Sequence, residues 1–158
     1  MNNIHEKIAD VDWQTVTGEM NEKGYALVSK FLPSQSCDEI ISNYNNSDLY
    51  RKTIIMERHR FGLGKYKYFK YLLPDLIHTI RTAIYPKLAP IANTWMSMLN
   101  MQRHFPDTFD DLQKLCHDHN QTKPTVLILK YGKGGYNTLH QDLYCEIFFP
   151  PSISFISK

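Results

Sequence analysis

His140 and Asp142 stand two residues apart, at the end of a stretch that begins with the apolar, partly β-branched run 125–129. That run reads as a buried strand. A turn follows at 131–135, Tyr-Gly-Lys-Gly-Gly, whose glycines take positive φ cheaply. Residues 136–144 then read as a second extended run carrying Tyr136, Thr138, His140, Asp142 and Tyr144 on one face, because strand residues two apart point the same way. An imidazole beside a carboxylate is two thirds of a facial 2-His-1-carboxylate site, which leaves open positions on a non-haem Fe(II) ion. The pattern alone is short, and a strand histidine bonded only to its own fold is the competing reading.

Residues 131–142 read Tyr-Gly-Lys-Gly-Gly-Tyr-Asn-Thr-Leu-His-Gln-Asp. This segment resembles the first metal-binding strand of the 2-oxoglutarate/Fe(II) oxygenases, and most of all that of the AlkB-type nucleic-acid demethylases. The resemblance implies Fe(II) and 2-oxoglutarate as cofactors, oxygen as co-substrate, and His140 and Asp142 as iron ligands. It also implies that the Tyr131 phenol hydrogen-bonds a 2-oxoglutarate carboxylate. Where AlkB-type enzymes carry Asn two residues before that tyrosine, this chain has Leu129.

Residues 51–71 hold seven of the 18 lysines and arginines, with Glu57 the only acid, interleaved with Phe61, Tyr66, Tyr68, Phe69 and Tyr71. Gly62-Leu63-Gly64 supplies a turn, so a hairpin with strands near 52–58 and 65–71 is expected. Two readings stand. Arg58, Arg60, Lys65, Tyr66 and Lys67 form a substrate surface that combines phosphate attraction with ring stacking, or the hairpin is structural, with rings inward and lysines in water. Residues 56–69, 73–76 and 88–95 resemble one bacterial branch of the same oxygenases, described as acting on alkylation-damaged DNA. That resemblance implies nucleic acid as a partner.

The rest of the chain must position these residues. Residues 3–23 read as helical, with Asp12 an N-cap midway and Gly24 closing the end. A short strand is expected at 25–28. Ser36 and Glu39 suggest a capping box for a helix burying Cys37, Ile40, Ile41 and Tyr44. Asp75 should cap a helix that Pro86 and Pro90 interrupt and restart, giving a helical layer behind the sheet. A further helix at about 107–117 buries Phe109, Leu112 and Cys116. Adjacent residues on a helix diverge, so Cys116, His117, Asp118 and His119 are better explained by the helix dipole than as a metal site.

A chain of 158 residues and net charge +2 fits one domain, and the charge is too small to demand a nucleic-acid partner. Three cysteines without C-x-x-C spacing, and the lack of an apolar leader or spanning run, point to a reduced, cytoplasmic setting without membrane contact. The fold class expected is α+β: the N-terminal half of a double-stranded β-helix, or jelly roll, backed by helices, with its C-terminal strands missing. Residues 1–150 would be a partial oxygenase domain and 151–158 a divergent tail. The strands still owed after Asp142 need roughly 50–60 residues, and 143–158 contain neither His nor Arg. The chain alone is therefore expected to be inactive. The same chemistry on a protein or small molecule, and a non-catalytic remnant, are the alternatives.

Overall fold

The computed structural model describes residues 4–140 and 145–156. Helices α1 (Ile4–Ala9) and α2 (Trp13–Lys23) open the chain. Asp12 caps α2 by accepting from the backbone N–H groups of Gln14 and Thr15 at 3.1 and 3.0 Å, and Gly24 ends it in the left-handed region at φ 80°. Both helix signals were legible in the sequence. The strand expected at 25–28 does not form: no strand pairs with it among the described residues, and Tyr25, Leu27 and Val28 are exposed.

Helix α3 (Ser34–Ser42) begins two residues before the expected capping box, with Pro33 at its cap, so Ser36 and Glu39 do not cap it. It buries no residue fully. Tyr44, in the 3₁₀ turn that follows, is buried. The hairpin forms as expected. Strand β1 (Tyr50–Ile55) pairs antiparallel with β3 (Lys65–Phe69), and β3 pairs with β4 (Leu127–Lys130), giving a three-stranded sheet of order β1-β3-β4. At the hairpin tip the short β2 (Gly62–Leu63) pairs with β5 (Tyr136–Asn137). β4 is partly exposed, not the buried strand that its composition suggested.

Helix α4 (Asp75–Met98) is the long element of the molecule, and it runs unbroken through Pro86 and Pro90. Pro74, not Asp75, occupies its N-cap position. Both prolines lie on the exposed face of the helix, away from its packed flanks. Its other two flanks build the cores. Ile80, Ile84, Leu88 and Ile91 pack with Ile8, Trp13 and Met20 of α1 and α2. Tyr85, Ala89, Ala92 and Met96 pack with Phe105, Ile147, and Phe109 and Leu112 of α5 (Phe109–Asp118). Thr108 caps α5, accepting from the Asp111 N–H at 3.2 Å while its hydroxyl donates to that carboxylate at 2.6 Å. Neither core contains a residue of the sheet. Among the described residues, no helix is long and apolar enough to cross a membrane.

Candidate functional site

The hairpin tip is laced to the segment leading into His140. Leu63 lies opposite Tyr136 and Gly62 opposite Asn137. Beyond that pair, the Thr138 backbone N–H and hydroxyl both donate to the Phe61 carbonyl, at 2.9 and 3.1 Å. Glycine is required at the crossing: a Cβ on Gly62, held at φ 130°, would overlap the Tyr136 carbonyl oxygen. Tyr131 sits over the same tip. Its ring lies 2.8 Å from where a Gly64 side chain would begin, and its Cβ 2.8 Å from the corresponding point on Gly135. The tyrosine is 44 % exposed.

The expected metal strand is shorter than its alternation suggested. β5 ends at Asn137, and 138–140 continue without strand pairing. His140 is exposed, and its Nδ1 lies 2.7 Å from the Thr138 carbonyl oxygen. A carbonyl only accepts, so Nδ1 is the donor in this contact. A ring nitrogen bonded to a backbone carbonyl is also found behind metal-binding imidazoles, where it sets the ring's orientation. Asp142, the expected partner ligand, lies outside the described residues. Among those described, no three His, Cys, Asp or Glu side chains are grouped to hold a metal ion. His140 thus fits an iron-ligand role singly. His119 does not join it: its Nδ1 bonds the Leu115 carbonyl at 2.9 Å, and its Nε2 lies 3.6 Å from Glu146.

Strand alternation divides the expected substrate residues. Arg58 and Arg60 are exposed at the tip, on either side of His59, which stacks on Phe61 at 5.4 Å. They therefore lie next to the residue that anchors Thr138. Tyr66 shares a sheet face with Ile54, Tyr68, Leu127 and Leu129, the face onto which Tyr131 folds at Gly64. It meets Tyr68 edge-on at 5.5 Å. Lys65 and Lys67 point to the opposite face. Lys67 is occupied there: its ammonium donates to the Tyr44 carbonyl at 2.7 Å and lies 4.3 and 5.0 Å from the Tyr44 and Tyr50 rings. Burial raises the pKa of both phenols above the ordinary tyrosine value.

Lys130 was not singled out by the sequence, yet it lies directly across from Lys65 and near the Tyr44 ring at 5.3 Å. Only the β3–β4 register reveals it. Arg51 is likewise engaged within the fold, donating to the Pro124 carbonyl at 3.0 and 3.3 Å and lying 4.4 Å from the Tyr68 ring.

The chain is thus a mixed helix-and-sheet protein whose hairpin tip carries Tyr131 and, through Thr138, the segment leading to His140. A family described as "Oxygenase, catalysing oxidative methylation of damaged DNA" matches residues 64–157, and the chain belongs to that oxygenase family. The matched span includes Lys65, Tyr66, Lys67, Tyr131, His140 and Asp142, while Arg58 and Arg60 precede it. Two uncharacterized proteins of Mycobacterium tuberculosis, from strains CDC 1551 / Oshkosh and ATCC 25618 / H37Rv, are each 46% identical over 78 residues. The matched stretch is 49% of this chain but 34% of theirs, so the chain spans about a third of the length of these curated relatives. No solved structure matches the chain significantly.

Proposed function

We propose that this chain contributes the first iron-binding segment and a substrate-facing hairpin of an Fe(II)- and 2-oxoglutarate-dependent oxygenase acting on alkylated bases of nucleic acid. The observation that carries the reading is His140, bonded through Nδ1 to the Thr138 carbonyl and held two residues from the contact with the arginine-bearing hairpin tip. His140 and Asp142 would hold Fe(II). With 2-oxoglutarate and oxygen bound, that group supplies C–H hydroxylation coupled to decarboxylation to succinate; on an N-alkyl base the hydroxylated carbon leaves as an aldehyde.

The chain's own residues then have separable tasks. The Tyr131 phenol, exposed where its ring packs on Gly64, donates to a 2-oxoglutarate carboxylate. Leu129 offers no hydrogen bond where AlkB-type enzymes carry Asn, so Tyr131 bears more of that recognition. Tyr66 supplies a ring wall on the same face. Arg58 and Arg60 attract the phosphates flanking the target, and a base in a duplex must leave its stack to reach His140.

The test has two arms. Titration of the 158-residue chain with Co(II) as an optical stand-in should show weak binding that His140→Ala abolishes, because no His follows His140 and no Arg follows Arg103. Binding of a methylated single-stranded oligonucleotide should weaken with salt, and Arg58→Ala with Arg60→Ala should reduce the log–log slope by about 2. Metal binding indifferent to His140 would sink the iron assignment. The second reading, the same chemistry on a protein or small molecule, is favoured by the inward engagement of Lys67 and Arg51, which makes part of the hairpin structural. Oligonucleotide binding that ignores both salt and the two arginines would select it.

A further inference from the structure

The chain's remaining nucleophiles are its cysteines. Two of them flank the place where the end of α5 receives the segment after the candidate site: Cys116 on the helix and Cys145 two residues before Ile147, which Gln121 holds. Gln121 clamps that segment by both ends of its amide: Nε2 donates to the Ile147 carbonyl at 2.8 Å, and Oε1 accepts from the Ile147 N–H at 2.7 Å. The same turn is tied to Cys116, whose carbonyl accepts from the N–H groups of His119 and Gln121 at 3.1 and 2.8 Å. One residue before Ile147, Glu146 reaches the His119 imidazole at 3.6 Å. Ile147 and Cys116 pack in one core. Cys145 precedes this clamp by two residues and is exposed, whereas Cys116 is half-buried. Burial pushes the Cys116 thiol up, and the charge of nearby Cys145 adds to that, while Arg81 and Arg103 oppose it.

We propose that Cys116 and Cys145 are a peroxide-responsive thiol pair that closes a reversible disulfide around the candidate site. The loop so closed contains β4, the glycine turn, β5, Tyr131, His140 and Asp142. Cys145, the accessible thiol, reacts first: its thiolate attacks a peroxide oxygen, the O–O bond breaks, and sulfenic acid and water form. The Cys116 thiolate then attacks the Cys145 sulfur and expels a second water. Two thiols lose two electrons and two protons to one hydrogen peroxide. Cys37, on α3, lies outside the clamp and stays a thiol.

The experiment treats the full chain with stoichiometric hydrogen peroxide and maps unreduced peptides by mass spectrometry. Expected are a Cys116–Cys145 linked pair within one chain, reversed by dithiothreitol, and a melting temperature roughly 5–10 °C above that of the reduced form. Cys145→Ser, at an exposed position, should abolish both the linkage and the shift. The proposal is overturned by independent oxidation to sulfinic or sulfonic acid, by a linkage to Cys37, or by links only between chains. None of these outcomes depends on iron or nucleic-acid binding.

Discussion

The two ends of this molecule are held together by different means. The helical end is organised by burial: α4 lays one apolar stripe against α1 and α2 and another against α5, and Phe105 and Ala92 are wholly excluded from solvent. The sheet end buries Tyr44, Ile54, Met56 and Phe69 too, but it adds specific polar contacts and glycine. Lys67 reaches Tyr44, Arg51 reaches Pro124, Thr138 reaches Phe61, and Gly62 admits β5 because it has no side chain. Burial is non-directional and tolerant of small shifts, whereas these contacts fix individual groups in place. Candidate chemistry sits at the second kind of region, where a histidine and a phenol are placed without being enclosed.

That contrast yields graded expectations. Phe105→Ala removes a ring that is 0% exposed, and should cost about 3–5 kcal/mol in denaturant unfolding. Leu129→Ala, at 41% exposure on the sheet, should cost under about 1 kcal/mol. Equal losses would mean that the exposed side of β4 contributes as much as the buried helical core.

Gly62→Ala should cost about 1–3 kcal/mol, because the new methyl strains a φ of 130° and collides with the Tyr136 carbonyl. Its more telling effect is local: amide exchange at Thr138 should accelerate, while amides of α4 keep their protection. Uniform acceleration would show that the two ends open as one unit.

The smallest effect concerns Asp12. The Thr15 backbone N–H, then its hydroxyl and the Gln14 N–H, hold this carboxyl below its ordinary value of 3.8. A depressed carboxyl contributes stability that is present above the unfolded value and lost as pH falls through the folded one. Asp12→Ala should therefore lower the melting temperature by roughly 2–4 °C at neutral pH, with the gap from the native chain narrowing below about pH 4. A constant gap down to pH 2 would assign the effect to helix propensity rather than to the charge.

How much of this could be read from the chain depended on the range of the determinant. Asp12 and Gly24 act on their own neighbours, and the helix they bound was legible. The hairpin was legible too, since Gly62 and Gly64 separate two runs of strand-forming residues. The fate of Pro86 and Pro90 turned on which face of α4 meets water, which is decided by α1, α2 and α5 and not by the prolines. Residues 25–28 read as a short strand, but a strand needs a neighbour. In the site, residue types were legible while sidedness was not: Lys67 and Tyr66 adjoin in sequence, yet the pairing of β3 sends them to opposite faces. Likewise β5 stops at Asn137 because its pairing partner β2 is only two residues long.

The prolines of α4 have one more consequence, on the other side of the folding equilibrium. Each pyrrolidine ring holds φ near the helical value even when the chain is unfolded. Two such rings, one helical turn apart, remove conformations from the denatured ensemble along the segment that both cores share. Both rings lie on the exposed face of α4 in the native state, away from either core. The central helix thus draws part of its stability from disorder that the unfolded chain never has.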